Sequence, residues 1–149
     1  MNLTKRPSLG KELVHVPFRI KDQKIYVTYY QDGVQAGFPS PADDFKEMPL
    51  SLDETYLQDP EATYFIKVVG HSMHPTLQIG DLLIVKSNLP FDDGNLGIVS
   101  INHTDFTVKR LDAKAHRLIA DNKNFPPIKM NEEDTIICLG VVKHLLRDL

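Results

Sequence analysis

The chain has 149 residues, enough for one domain with a core of its own and a short appended arm. It is 42% hydrophobic and 25% charged, an ordinary soluble composition, and no apolar run approaches the roughly 18–20 residues that a bilayer span requires. A net charge of −3 leaves no electrostatic footprint for direct nucleic-acid binding.

That charge is unevenly placed. Residues 1–36 carry six basic and three acidic side chains, while the remaining 113 carry eleven and seventeen. A basic arm on an acidic body can dock to it weakly, with salt screening much of the attraction. The first residues, Met1 to Pro7, are basic without a following apolar stretch, so they do not read as a secretory signal. The single cysteine, Cys138, excludes an internal disulfide and fits a reducing, cytoplasmic setting. Its neighbours Ile136, Ile137 and Leu139 make it a small buried hydrophobe by expectation.

In chain order, residues 1–23 show little periodicity, and Pro7 and Pro17 argue against helix. Val14 to Phe18 reads as a short extended piece. Lys24 to Tyr30 is β-branched and aromatic, a strand that needs a partner elsewhere. Gln31 to Pro41 is rich in Gly and Pro and reads as an exposed loop, where the organisational boundary is expected. Leu50 to Leu57 can hold one or two helical turns, with Ser51 or Asp53 as cap. From Thr63 onward the pattern is all β. Strands are predicted at Tyr64–Val69, Leu82–Lys86, Gly97–Asn102, Phe106–Leu111, Arg117–Ala120 and Ile136–Leu145, with polar turns between them. Such spacing predicts a mainly β fold of curled antiparallel sheets forming a partly open barrel, with an extended N-terminal arm.

Two stretches carry chemistry. In Val69-Gly70-His71-Ser72-Met73-His74-Pro75-Thr76 a hydroxyl sits at a Gly-flanked strand end, between two apolar segments. Serine is a weak nucleophile until a base takes its proton. In Phe106-Thr107-Val108-Lys109-Arg110-Leu111, alternation puts Phe106, Val108 and Arg110 on one face and Thr107, Lys109 and Leu111 on the other. If one face is buried, either Lys109 or Arg110 turns inward, and lysine is the one that can shed its charge. A neutral Lys109 beside Ser72 would form a Ser/Lys dyad. The bland alternative is a solvated lysine and a structural turn serine. The histidines offer less: no G-x-S-x-G elbow surrounds Ser72, and His71 and His74 lack the further ligands of a metal site. No metal and no cofactor is expected.

Gly70-x-Ser72-Met73, then Gly80-Asp81-Leu82-Leu83-Ile84-Val85, then Phe106 to Leu111 together resemble the LexA/UmuD family of self-cleaving serine peptidases. The resemblance runs from about Ala36 to the C-terminus and is nearest the UmuD branch of SOS mutagenesis proteins. Phe38 to Asp43, Pro60 to Phe65 and Gly140 to His144 share in it. It implies a LexA-like peptidase domain with Ser72 as nucleophile and Lys109 as general base. The implied scissile bond is Ala36-Gly37, dividing an arm of residues 1–36 from a peptidase and dimerisation domain of residues 37–149. The backbone N–H groups of Ser72 and Met73 are the candidate oxyanion donors. It further implies stimulation by a RecA filament on single-stranded DNA, a shortened homodimer, and partnership with a Y-family, UmuC-like polymerase subunit in translesion synthesis. Two features depart from the pattern. His71 replaces an acidic residue often found before the nucleophile, and the arm is longer than usual. An arm of 36 residues with Pro7 and Pro17 does not hold the DNA-reading helix-turn-helix of the repressors in this family. Two rival readings remain: a signal-peptidase-like Ser/Lys enzyme, from the Ser72-Met73-His74-Pro75-Thr76 box, and a non-catalytic β-barrel module that binds a polymerase.

Overall fold

The computed structural model describes residues 7–30 and 47–149. It divides into two compact units, Met1–Phe18 with Glu61–Leu149, and Arg19–Pro60. The Ala36-Gly37 bond and the whole Gly- and Pro-rich loop, Gln31 to Pro41, lie outside the described residues.

The larger unit is an eight-stranded sheet in which every pairing between strands is antiparallel. Its strands are β1 (Leu13–Val16), β4 (Thr63–Val68), β5 (Leu82–Lys86), β6 (Leu96–Ile101), β7 (Thr107–Asp112), β8 (Arg117–Ile119), β9 (Ile128–Lys129) and β10 (Ile136–Leu146). Their order across the sheet is β1-β4-β5-β10-β6-β7-β8-β9. In β4 the apolar Ile66 and Val68 point inward while Lys67 between them is exposed. The interior strands β5 and β6 are buried on both faces, and their sequences are correspondingly near-continuous apolar runs. The core gathers Leu13, Ile66, Val68, Met73, Leu77, Leu83, Val85, Ile98, Phe106, Val108 and Ala120. The fold is thus mainly β, as expected.

The curl has an identifiable source. β10 pairs β6 through Ile136–Val141 and β5 through Val141–Leu146, with register shifts between Cys138 and Gly140 and between Val142 and His144. Bulges of this kind bend a strand and raise its twist. On the far side, the chain ahead of β1 reaches the start of β7. Gly10 N donates to Phe106 O at 2.8 Å, and Phe106 N donates to Ser8 O at 2.7 Å. Residues 8–16 therefore lace β4 to β7, and the sheet curls toward closure.

The smaller unit holds β2 (Val27–Tyr30) paired antiparallel with β3 (Glu47–Leu50), and α1 (Leu52–Tyr56). β3 supplies the partner that the aromatic strand needs. Ser51 stands at the N-cap of α1 but its side chain makes no capping bond, and its buried hydroxyl has no partner among the described residues. Cys138 corrects one expectation: it is exposed, because the strand's pleat turns it outward between partly buried Ile137 and Leu139.

Candidate active site

Ser72 is brought to its place by the turn that follows β4. The turn is pinned from several sides: Asn122 N donates to Ser72 O at 3.0 Å, Asn122 Nδ2 to His71 O at 2.9 Å, and Leu77 N to Met73 O at 2.9 Å. Met73 fills the core at 2% exposure, anchoring the residue next to the serine. Asp81, also buried, accepts from Gln78 N at 2.8 Å and closes the far end of the loop. His71 packs its ring edge-on against Phe125, with centroids 5.5 Å apart.

Lys109 comes from β7, opposite Gly97 of β6. Its residue is 7% exposed. Nζ donates to Val108 O at 3.1 Å, to Thr107 Oγ1 at 3.3 Å and to Ser72 Oγ at 3.4 Å. The structure thus brings together two side chains 37 residues apart, both buried. The burial has a different cause from the one that strand alternation suggests. The core face of β7 is that of Phe106 and Val108. Arg110 shares that face at the strand's end, where Asp121 accepts from its guanidinium at 2.9 and 2.6 Å. Lys109 lies on the opposite face, shielded from water by the Ser72 turn and by the arm.

The arm supplies a further side chain that no sequence motif marks. Ser72 Oγ donates to Glu12 Oε2 at 2.7 Å, and Ser72 N donates to Glu12 Oε1 at 3.2 Å. Thr107 Oγ1 donates to Glu12 Oε2 at 3.0 Å. Thr107 was findable, since alternation places it on the Lys109 face. Glu12 sits in an aperiodic stretch, and only the tertiary path of the arm reveals it.

The electrostatics follow from this geometry. Burial lowers the Lys109 ammonium below the ordinary lysine value, and the Glu12 charge partly opposes that. Burial pushes the Glu12 carboxyl up, but hydrogen bonds from Ser72 and Thr107, with the Lys109 charge, outweigh it and hold the group below the usual carboxylate range. Chemically, the site offers a hydroxyl nucleophile, an amine whose proton is loosened by desolvation, and a backbone N–H at Ser72 facing an anionic oxygen. Among the described residues, no three or more His, Cys, Asp or Glu side chains converge to hold a metal ion. No helix among them is long and apolar enough to cross a membrane.

Comparison with known proteins gives the family. Residues 28–143 match the family model described as Peptidase S24-like. The chain is 36% identical to Protein MucA of Salmonella typhimurium over 123 residues, covering 80% of this chain and 84% of that one. It is 35% identical to Protein ImpA of Shigella flexneri over 118 residues, covering 78% and 81%. It is 33% identical to the LexA repressor of Pseudoalteromonas atlantica over 101 residues, covering 66% and 48%. The curled antiparallel sheet and these matches make the chain a member of the Peptidase S24-like family, of the UmuD type.

Proposed function

We propose that the protein is a self-cleaving Ser/Lys peptidase that cuts its own Ala36-Gly37 bond. The observation that carries this reading is the buried Lys109 amine aimed at Ser72 Oγ within an S24-like chain. In the reaction, neutral Lys109 takes the Ser72 proton and Oγ attacks the Ala36 carbonyl carbon. The oxyanion accepts from the backbone N–H groups of Ser72 and Met73. Collapse breaks the C–N bond, and Lys109 returns its proton to the leaving amine of Gly37. Water then hydrolyses the Ser72 ester, with Lys109 again as base, leaving a carboxylate on Ala36. The small side chains at the scissile bond let the peptide approach Ser72 closely.

The products are an arm of residues 1–36 and a body of residues 37–149. The likeness to the UmuD type supports a role for that body in the SOS response. There, as a cytoplasmic homodimer, it joins a Y-family, UmuC-like polymerase subunit in translesion synthesis. Stimulation comes from a RecA filament on single-stranded DNA, and the overall acidity of the chain fits contact with that DNA through RecA rather than directly.

The test is incubation of the purified chain with RecA, ATP and single-stranded DNA, and with each omitted in turn. The complete mixture is expected to yield residues 1–36 and 37–149 by intact mass, with the omissions slower. Ser72→Ala should lose about 10³-fold or more in rate. A chain that stays whole in every mixture would overturn the peptidase reading in favour of a non-catalytic binding module.

A further inference from the structure

The resting site is occupied by the chain's own arm, in a way that blocks the chemistry just described. Glu12 is held there by its backbone as well as its side chain: Glu12 O accepts from Val69 N at 2.6 Å and from Gly70 N at 3.2 Å. Next to it β1 pairs with β4, Leu13 opposite Val68. Gly70 makes room for it, because a Cβ there would stand 2.7 Å from Glu12 Cβ and 2.9 Å from Glu12 Cδ. Any side chain at position 70 would therefore push Glu12 out.

The hydrogen-bond roles are fixed by chemistry. An ionised carboxylate only accepts, and a serine hydroxyl has one proton to give. At 2.7 Å from Glu12 Oε2 that proton points at Glu12, not at Lys109. Lys109 must then donate to Ser72, and its three acceptors Ser72 Oγ, Thr107 Oγ1 and Val108 O match the three protons of an ammonium. The second Glu12 oxygen takes the Ser72 N–H, one of the two candidate oxyanion donors. One carboxylate thus occupies the nucleophile and one oxyanion donor, and lies close enough to the base to favour its charged form.

We propose that Glu12 is an autoinhibitory latch: a carboxylate set by the arm in the place of the scissile carbonyl, which must leave before any peptide is cut. The inference rests on the Ser72–Lys109 reading above. It adds that the observed rate is the rate of the open site multiplied by the fraction of chains in which Glu12 has withdrawn. Since Glu12 precedes Ala36, the cut that the latch restrains also separates the latch from the peptidase, so the restraint acts once.

The experiment compares the full-length wild type with Glu12→Ala, Glu12→Gln and Lys11→Ala, at neutral pH without any partner. Two rates are read by intact mass: appearance of residues 37–149, and addition of a small fluorophosphonate to the intact chain, with Ser72→Ala as blank. Glu12→Ala is expected to raise both by about tenfold or more, the weight of a hydrogen bond to a charged group. Glu12→Gln, isosteric but uncharged, is expected to fall between, and it decides the matter if Glu12→Ala fails to fold. Lys11→Ala, at an exposed position, should match the wild type. Faster labelling without faster cleavage would uphold the latch while removing Ala36-Gly37 as its substrate. Equal or lower rates in both Glu12 variants by both measures, including no reaction anywhere, would overturn the latch.

Discussion

In the proposed reaction, Lys109 is the residue on which the chemistry turns. Desolvation favours its neutral form, while Glu12 favours the charged one. The sign for catalysis is that the base must be unprotonated, so autolysis should accelerate as pH rises through the Lys109 value. Because that value is lowered, the rate should level off below the pH at which an ordinary lysine titrates. A pH–rate profile checks this, and Glu12→Gln should move its midpoint to lower pH by removing the opposing charge. The sequence singled out Ser72 and Lys109 as candidates, a strand-end serine and a lysine on an apolar strand, and the fold brings their side chains within 3.4 Å. The reason for the lysine's burial could not be read there. Alternation told which side chains share a face, but not that the Lys109 face would be covered by residue 12, nearly a hundred positions away in sequence. Long-range contacts of an aperiodic arm leave no periodic trace.

The strands were readable where apolar runs are bounded by turn residues. β4, β5, β6, β7, β8 and β10 lie within one residue of their predicted limits. What was missed is short or chemically disguised. β9 has two residues, and β3 contains Pro49, which removes a donor and marks an edge position. β10 is apolar apart from Gly140, Lys143 and His144, and its two register shifts fall beside those residues. Gly140 sits at one of the shifts, where a Cβ would meet Val85 Cγ1 at 2.7 Å and the Lys86 carbonyl oxygen at 2.9 Å. Backbone at that distance cannot swing aside as a side chain can. Gly140→Ala should therefore destabilise by about 1–3 kcal/mol through overpacking. Thermal unfolding should show a midpoint lowered by roughly 2–4 °C per kcal/mol.

Across the larger unit, the loop that carries Ser72 is tied to the far end of the chain. Arg147 donates through Nε to Asp81 Oδ1 at 2.6 Å and through Nη2 to Asp81 Oδ2 at 2.7 Å. Nη2 also reaches Thr76 O at 3.3 Å. Asp81 is 1% exposed, so Arg147→Ala would strand a buried carboxylate. The expected cost is about 1–3 kcal/mol, reduced from that of a fully buried pair because Arg147 is partly exposed. Hydrogen bonds from Arg147 hold the Asp81 carboxyl below its ordinary range, despite the opposing effect of burial. Its contribution is therefore complete above the unfolded carboxylate value and lost as pH falls through the lowered folded value. Melting curves of wild type and Arg147→Ala should converge in acid and separate toward neutrality. The same loop presents Ser72, which returns the question to the dyad. The deciding measurement is partner-free autolysis at alkaline pH, followed by intact mass in the wild type, Ser72→Ala and Lys109→Ala. Fragments of residues 1–36 and 37–149 from the wild type alone are the predicted result. A wild type that stays whole as Lys109 is deprotonated, or cleavage that persists without Ser72 or Lys109, would contradict the assignment of this site.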